Sequence, residues 1–333
     1  MNSQILFVEY HIPVKKLTNQ ELSIEFPEWS PEKISSKTGI YERGICDENE
    51  FASDLAINAA KKLFDKYGIE KNEIDFLLYC TQSPDYLLPT TACLIHKELG
   101  LNSNCGALDF NLGCSGYIYG LSLAKGLIGS GDASNVLLIT SETYSKYIHP
   151  EDKSNRTIFG DAAAATLICV TTEPGLEKFV FGTDGFGAMN LIVKTGGIRK
   201  RVPSMFVEYS EGNFVKSDDH LFMDGQEIFK FTTREVPLLV DRCLKLNNLQ
   251  ISQIDLFVFH QANRYMLDFI RRKLNIPADR FFVSLELTGN TVSSTIPIAL
   301  TEAMKIGKLE RGMKVMLVGF GVGYSSGAVV FNF

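Results

Sequence analysis

Several features of membrane, secreted, metal-binding and nucleic-acid-binding proteins are missing from this sequence. Basic charge is not in excess: 33 Lys+Arg against 39 Asp+Glu leave a formal net charge of −6, so a phosphate-neutralising surface for nucleic acid is not expected. Long apolar runs are absent, and no membrane span is expected. The opening Met1-Asn2-Ser3-Gln4-Ile5 has no basic start leading into an apolar core, so no secretory leader is expected either. The cysteines at 46, 80, 93, 105, 114, 169 and 243 form no Cys-x-x-Cys pair, which gives no sign of a metal site. Their odd number predicts reduced thiols in a cytoplasm. Low hydrophobicity is also absent: 45% hydrophobic and 22% charged residues predict a folded chain with a large core.

The most informative stretch is Leu108-Asp109-Phe110-Asn111-Leu112-Gly113-Cys114-Ser115-Gly116-Tyr117. An apolar run stops at Gly113, and Tyr117 to Ile128 then carries apolar residues at mostly helical spacing, so Cys114 should open a helix. A helix start favours the thiolate and predicts a lowered cysteine pKa. A buried structural cysteine is the plain alternative for Cys114 taken alone.

The rest of the chain alternates strands and helices. Strands are predicted over 4–10, 74–79, 135–140 and 162–170, helices over 50–67 and 90–99, and loop between the first strand and the Thr38-Gly39-Ile40-Tyr41-Glu42-Arg43 turn. The turn-rich residues 171–175 divide the chain into 1–172 and 173–333. The second part repeats the first. Ile74-Asp75-Phe76-Leu77-Leu78-Tyr79-Cys80 is echoed by Ile254-Asp255-Leu256-Phe257-Val258-Phe259-His260. The stretch 282–290 parallels 107–114, a helix follows over 293–306, and a closing strand over 314–319. Asn290 thus falls where Cys114 fell. Layered α/β architecture from two similar halves follows, and a pseudo-twofold would bring Cys114, His260 and Asn290 together. A strand-end histidine or a Gly-Asn pair by itself is equally a satisfied core residue or a turn.

In order, Thr38-Gly39-Ile40-x-Glu42-Arg43, Cys114-Ser115-Gly116, Phe159-Gly160-Asp161, His260-Gln261-Ala262-Asn263, Gly289-Asn290-Thr291 and Gly319-Phe320-Gly321-Val322-Gly323 resemble the thiolase superfamily, and most closely its β-ketoacyl-acyl carrier protein synthase III group. The resemblance runs nearly end to end. It implies a five-layered αβαβα fold, usually a cytoplasmic homodimer, with Cys114, His260 and Asn290 catalytic and the backbone amides of Cys114 and Gly323 forming an oxyanion hole. The implied reaction is acylation of Cys114 by an acyl-CoA and decarboxylative condensation with malonyl-acyl carrier protein, with no metal or redox cofactor. By the same resemblance Lys37, Leu88, Arg156 and Asn263 would contact substrate, Leu88 by crossing the dimer to close the acyl pocket. Lys230, Arg264, Arg272 and Lys273 would dock the acidic carrier protein.

The sequence departs from the group's pattern in places. The position of the usual adenine-stacking tryptophan is Lys33, with Trp29 four residues away. Ala162-Ala163-Ala164-Ala165 replaces a more glycine-rich strand start, Val322 stands where glycine is common, and Tyr265 takes the place of a basic residue. The alanine run and Val322 point to a specialised branch, Lys33 bears on adenine stacking, and Tyr265 on the docking geometry. Two other functions remain open: transfer of the acyl group from Cys114 to an alcohol or amine, and a noncatalytic partner subunit. The first is disfavoured by an intact Asn290, the second by an intact nucleophile.

Overall fold

A computed structural model describes residues 1–333. The first half supplies β1 (Asn2–His11), α1 (Ala52–Tyr67), β2 (Phe76–Cys80), α2 (Thr91–Leu99), β3 (Gly106–Phe110), α3 (Gly116–Ser130), β4 (Asn135–Glu142) and β5 (Ala162–Thr171). The second supplies β6 (Val180–Thr183), α4 (Gly225–Leu246), β7 (Leu256–Phe259), α5 (Arg264–Lys273), β8 (Phe281–Phe282), α6 (Thr295–Lys305), β9 (Lys314–Gly321) and β10 (Ser325–Asn332). Two five-stranded sheets result, ordered β3-β2-β4-β5-β1 and β8-β7-β9-β10-β6. Each has the same sense along its width: parallel across its first three strands, then antiparallel twice. The internal repeat is therefore one unit used twice, strand for strand.

The layers follow from the two-residue period of the buried strands, whose successive side chains face opposite ways. In β2 and β4, Leu77, Tyr79, Leu137 and Ile139 meet α1 and α2 in an outer core, while Leu78, Val136 and Leu138 face the middle. In β7 and β9, Phe257, Phe259, Met316 and Val318 meet α4 and α5, while Leu256, Val258, Val315 and Leu317 face the middle. Between the sheets lie α3 and α6, carrying Tyr117, Ile118, Leu121 and Ala124 and Ile296, Ala299, Leu300 and Ala303. Helix, sheet, helix, sheet, helix makes five layers. The small Ala162 and Ala164 of β5 leave room for Ile298 of α6. Each fully buried Leu, Ile or Val contributes about 1.5–3 kcal/mol of transfer free energy, so the shared middle core binds the halves into one body.

The expected loop after β1 is instead partly helical, over Asn19–Glu25 and Pro31–Thr38. The first is started by a reciprocal Thr18/Glu21 capping box, the second by the Ser30 side chain with Pro31 at its first position.

Candidate active site

Cys114 and Asn290 occupy equivalent places, each in the connection between an edge strand (β3, β8) and a central helix (α3, α6). His260 directly follows β7. All three are nearly fully buried and line one cavity of about 140 Å³, walled by Phe159, Leu191, Met223, Ile228 and Phe320. The convergence expected from the repeat is what the fold delivers.

Several of the sequence motifs meet in one knot beneath Asn290. The Asn290 N–H donates to Ile158 O at 2.9 Å, and Gly160 N–H donates to Asn290 O at 3.1 Å, so the turn is bolted by its backbone to the first half. The approach requires glycine on both sides. A Cβ on Gly160 would lie 2.3 Å from Thr288 O, and one on Gly289, at φ +68°, 2.7 Å from Ile158 O. Arg43 packs its Cβ against both glycines, and its guanidinium donates to Leu17 O, Asn19 Oδ1 and Thr157 O at 3.0, 2.9 and 3.1 Å. Asp161 accepts from Cys46 N and Ser145 N, each at 2.9 Å. Arg43, Gly160 and Asp161 therefore fix where Asn290 sits. Val292 N–H donates to Asn290 Oδ1 at 2.9 Å, which turns the amide nitrogen toward the cavity.

His260 Nδ1 pairs with Thr295 Oγ1 at 2.7 Å, Thr295 also donates to Val292 O at 3.1 Å, and Phe320 stacks edge-on to the imidazole at 5.4 Å between centroids. Nε2 is left for the cavity. Burial pulls the His260 pKa down to about 3, so the ring is neutral at ordinary pH.

The Cys114 thiol behaves otherwise than the helix start suggested. It precedes the Ser115 N-cap, and its pKa is pushed up to about 12, first by burial and then by the Glu142 charge; amides of Cys114 and Val322 act in the opposite direction. Desolvation outweighs the helix terminus here. The second amide that acts on the sulfur is that of Val322, the neighbour of the expected Gly323. Gly321 is pressed on the nucleophile, where a Cβ would lie 2.7 Å from Cys114 Cβ and 2.9 Å from Sγ, so the next amide, that of Val322, meets the sulfur. Gly323, at φ +129°, turns the chain toward Tyr324, whose N–H donates to Asp184 O.

The remaining expected residues are placed as follows. Asn263 lines the cavity while its Oδ1 caps α5 at Met266 N, 2.8 Å away. Leu88 lies with Tyr86 and Leu87 on an exposed apolar loop, 86% accessible itself. Tyr86 and Leu87 border a second cavity of about 580 Å³ that shares Leu191 with the first. Lys37 and Lys33 hold their ammonium groups 5.0 and 5.4 Å from the Trp29 ring centre. Arg156 ion-pairs with Glu25, donates to Pro150 O at 2.8 Å and lies over the Phe26 ring. Lys230 and Arg264 are likewise paired, with Glu227 at 2.6 Å and Glu286 at 2.8 Å. Arg272 and Lys273 donate to the carbonyls of Asp268 and Thr233. Sequence reasoning missed Thr295 and Glu142. Glu142 had no local signal, since it stands two residues past the expected end of its strand, where the structure carries β4 on to include it.

A buried cysteine between two amides, with a neutral histidine and an asparagine amide in the same small cavity, defines a thiolase-like acyl-transfer centre. The family descriptions 3-oxoacyl-[acyl-carrier-protein] synthase III and its C-terminal counterpart match residues 108–185 and 244–333. The chain is 36% identical to the β-ketoacyl-[acyl-carrier-protein] synthase III of Clostridium perfringens, over 99% of both chains. A solved 3-oxoacyl-(acyl-carrier-protein) synthase III superposes with a TM-score of 0.98 at 49% identity, covering 100% of both chains. The 3-oxoacyl-(acyl-carrier protein) synthase of Burkholderia xenovorans superposes at 0.90 with 35% identity, over 100% of this chain and 94% of that one. The chain belongs to the β-ketoacyl-acyl carrier protein synthase III family of condensing acyltransferases.

Proposed function

We propose that this enzyme takes an acyl group from an acyl-CoA onto Cys114 and condenses it with malonyl-acyl carrier protein to give 3-oxoacyl-acyl carrier protein. The supporting observation is the meeting of Cys114, His260 and Asn290 in one cavity. In the first step His260 Nε2 takes the Cys114 proton as the sulfur attacks the thioester carbonyl, then returns it to the departing coenzyme A thiolate. A base is needed because the buried thiol holds its proton at neutral pH. In the second step the malonyl carboxylate leaves as carbon dioxide. The electron pair moves through the α-carbon toward the thioester oxygen, where Asn290 Nδ2 and His260 Nε2–H stabilise it. Thr295 allows both roles, since its hydroxyl proton can turn to Val292 O or to His260 Nδ1. The carbanion attacks acyl-Cys114, the tetrahedral oxyanion lies between the amides of Cys114 and Val322, and collapse releases Cys114 as a thiolate that takes up one proton from solvent.

These steps use only side chains, backbone amides and the two thioester substrates. Asn263 at the cavity wall suits a contact with the pantetheine arm. The apolar loop of Tyr86, Leu87 and Leu88 beside an open cavity suits a homodimer in which each protomer's Leu88 closes the other's acyl pocket. Lys230, Arg264, Arg272 and Lys273, on the outer helices α4 and α5, are proposed to receive the carrier protein by exchanging their present partners for its carboxylates. Seven free thiols, most of them buried, fit a reducing cytoplasm. No helix is long and apolar enough to cross a membrane. The test is peptide mass spectrometry of the enzyme after a panel of acyl-CoAs, followed by addition of malonyl-carrier protein. The proposal expects an acyl adduct on Cys114 that is discharged as a 3-oxoacyl product; an adduct on another cysteine overturns it.

A further inference from the structure

Glu142 closes β4 with its carboxylate fully buried at the seam between the halves. Its Oε2 accepts from Gln82 N–H at 3.0 Å and Ser83 Oγ at 3.2 Å, both in the loop after β2, and its Oε1 accepts from Ser293 Oγ at 2.9 Å, in the turn that begins at Asn290. The same loop packs on the residue before the nucleophile, since a Cβ on Gly113 would lie 2.5 Å from Gln82 Oε1. One carboxylate thus joins the loop beside Cys114 to the turn that carries Asn290. Three hydrogen bonds satisfy it in part, and no cation pairs with it.

We propose that Glu142 is a positioning residue of the condensation: it ties the Asn290 turn to the Cys114 side of the cavity and, by keeping or losing its proton, sets how readily Cys114 ionises. Two unpaired anions cannot both form cheaply in one buried volume. Burial pushes the Glu142 pKa up to about 8, and its charge in turn raises that of Cys114. The other titratable groups facing it are Asp161 ahead of β5, Tyr79 and Cys80 on β2, and Tyr144 and Tyr147 after β4. All are neutral or anionic; none neutralises it. From the second half come only the hydroxyl of Ser293 and its neighbours. Below about pH 8 the carboxyl is neutral and the thiolate is opposed by burial alone. Above it, ionised Glu142 opposes the thiolate as well.

The inference rests on Cys114 as the nucleophile. Its alkylation readout needs neither acyl-CoA nor carrier protein, so that arm fails separately from the substrates proposed above, and the condensation arm compares Ser293→Ala with a wild type already shown to condense the same substrates. The experiment follows iodoacetamide alkylation of the Cys114 peptide by mass spectrometry between about pH 6 and 10, in the wild type, Glu142→Gln and Ser293→Ala. For the wild type, the rate should rise tenfold per pH unit at first, flatten as Glu142 ionises, then resume its rise, as coupled titrations require. Glu142→Gln should remove the break and react about threefold or more faster than wild type at about pH 9, while the two agree within about twofold at about pH 6.5. A purely structural role would move both ends of the curve together, and that result overturns the proposal. Should Glu142→Gln fail to fold, an unbroken line of unit slope in the wild type overturns it equally. Ser293→Ala should keep the break and lose about tenfold in condensation. Unchanged condensation in that variant refutes the tie to the Asn290 turn.

Discussion

Replacing Asn290 by alanine separates the two half-reactions, because the residue is held by its backbone and works through its side chain. The Asn290 N–H···Ile158 O and Gly160 N–H···Asn290 O bonds survive the substitution, as does the steric fit at Gly289, so the turn keeps its place. Two things are lost. Val292 N–H loses its acceptor, which costs about 1–3 kcal/mol of stability if nothing replaces it. The amide donor proposed for the malonyl oxygen also goes, and removal of one such donor costs about 2.7–4 kcal/mol of transition-state stabilisation, or about a hundredfold to a thousandfold in rate. Acylation of Cys114 uses His260 and the backbone amides instead, and should stay within about threefold of wild type. Rapid-quench measurement of acyl-Cys114 formation, beside carbon dioxide release from malonyl-carrier protein, reads the two steps independently. Near-normal decarboxylation in a folded Asn290→Ala enzyme would refute the reasoning. Equal loss in both steps would show instead that the variant damages a shared pocket, which also contradicts the assignment.

Further outcomes follow from other parts of the structure. Gly321→Ala places a methyl 2.7 Å from Cys114 Cβ and 2.9 Å from Sγ, and the displaced sulfur should acylate about a hundredfold more slowly in single-turnover assays; unimpaired acylation contradicts the contact. The raised Glu142 pKa means its contribution to stability is complete below the ordinary carboxylate range and falls as pH rises toward about 8. Denaturant unfolding should therefore show the wild type losing about 2 kcal/mol relative to Glu142→Gln between about pH 6.5 and 8, and a constant difference would refute it. Leu88→Asp should turn a dimer into monomers in sedimentation at concentrations where the wild type is dimeric; a monomeric wild type, or a dimer indifferent to the change, rejects that interface.

The duplicated architecture was legible because its signals are local and repeated. The stretches Ile74–Cys80 and Ile254–His260 hold the buried parallel strands β2 and β7, so each reads as an apolar run, and the residue at each strand-to-helix junction could be matched by position alone. The helices over 19–25 and 31–38 were missed because they are short, with few apolar residues at helical spacing, although Thr18-x-x-Glu21 and Ser30-Pro31 were start signals in plain sight. The acidity of Cys114 was read with the wrong sign for a different reason. A helix start is visible in sequence, but the desolvation that outweighs it depends on walls from both halves, Phe159 from the first and Leu191, Phe320 and Gly321 from the second, which only the fold assembles. Glu142 escaped notice on the same ground, since nothing local tells a carboxylate sealed between two loops from one facing water. The partners of Arg156, Glu25 and Phe26, were out of sight as well, both lying on or beside a helix read as loop.

The central claim is that one cysteine carries the acyl group from coenzyme A to a new carbon-carbon bond, and its most direct test is a mass measurement in two stages. Exposure to acyl-CoA should add one acyl mass to the peptide containing Cys114 and to no other, with Cys114→Ala unlabelled. Addition of malonyl-carrier protein should then clear the label as 3-oxoacyl-carrier protein, with loss of one carbon dioxide per turnover. A label discharged only to an alcohol, an amine or water, or one lodged on a cysteine other than Cys114, would contradict the account.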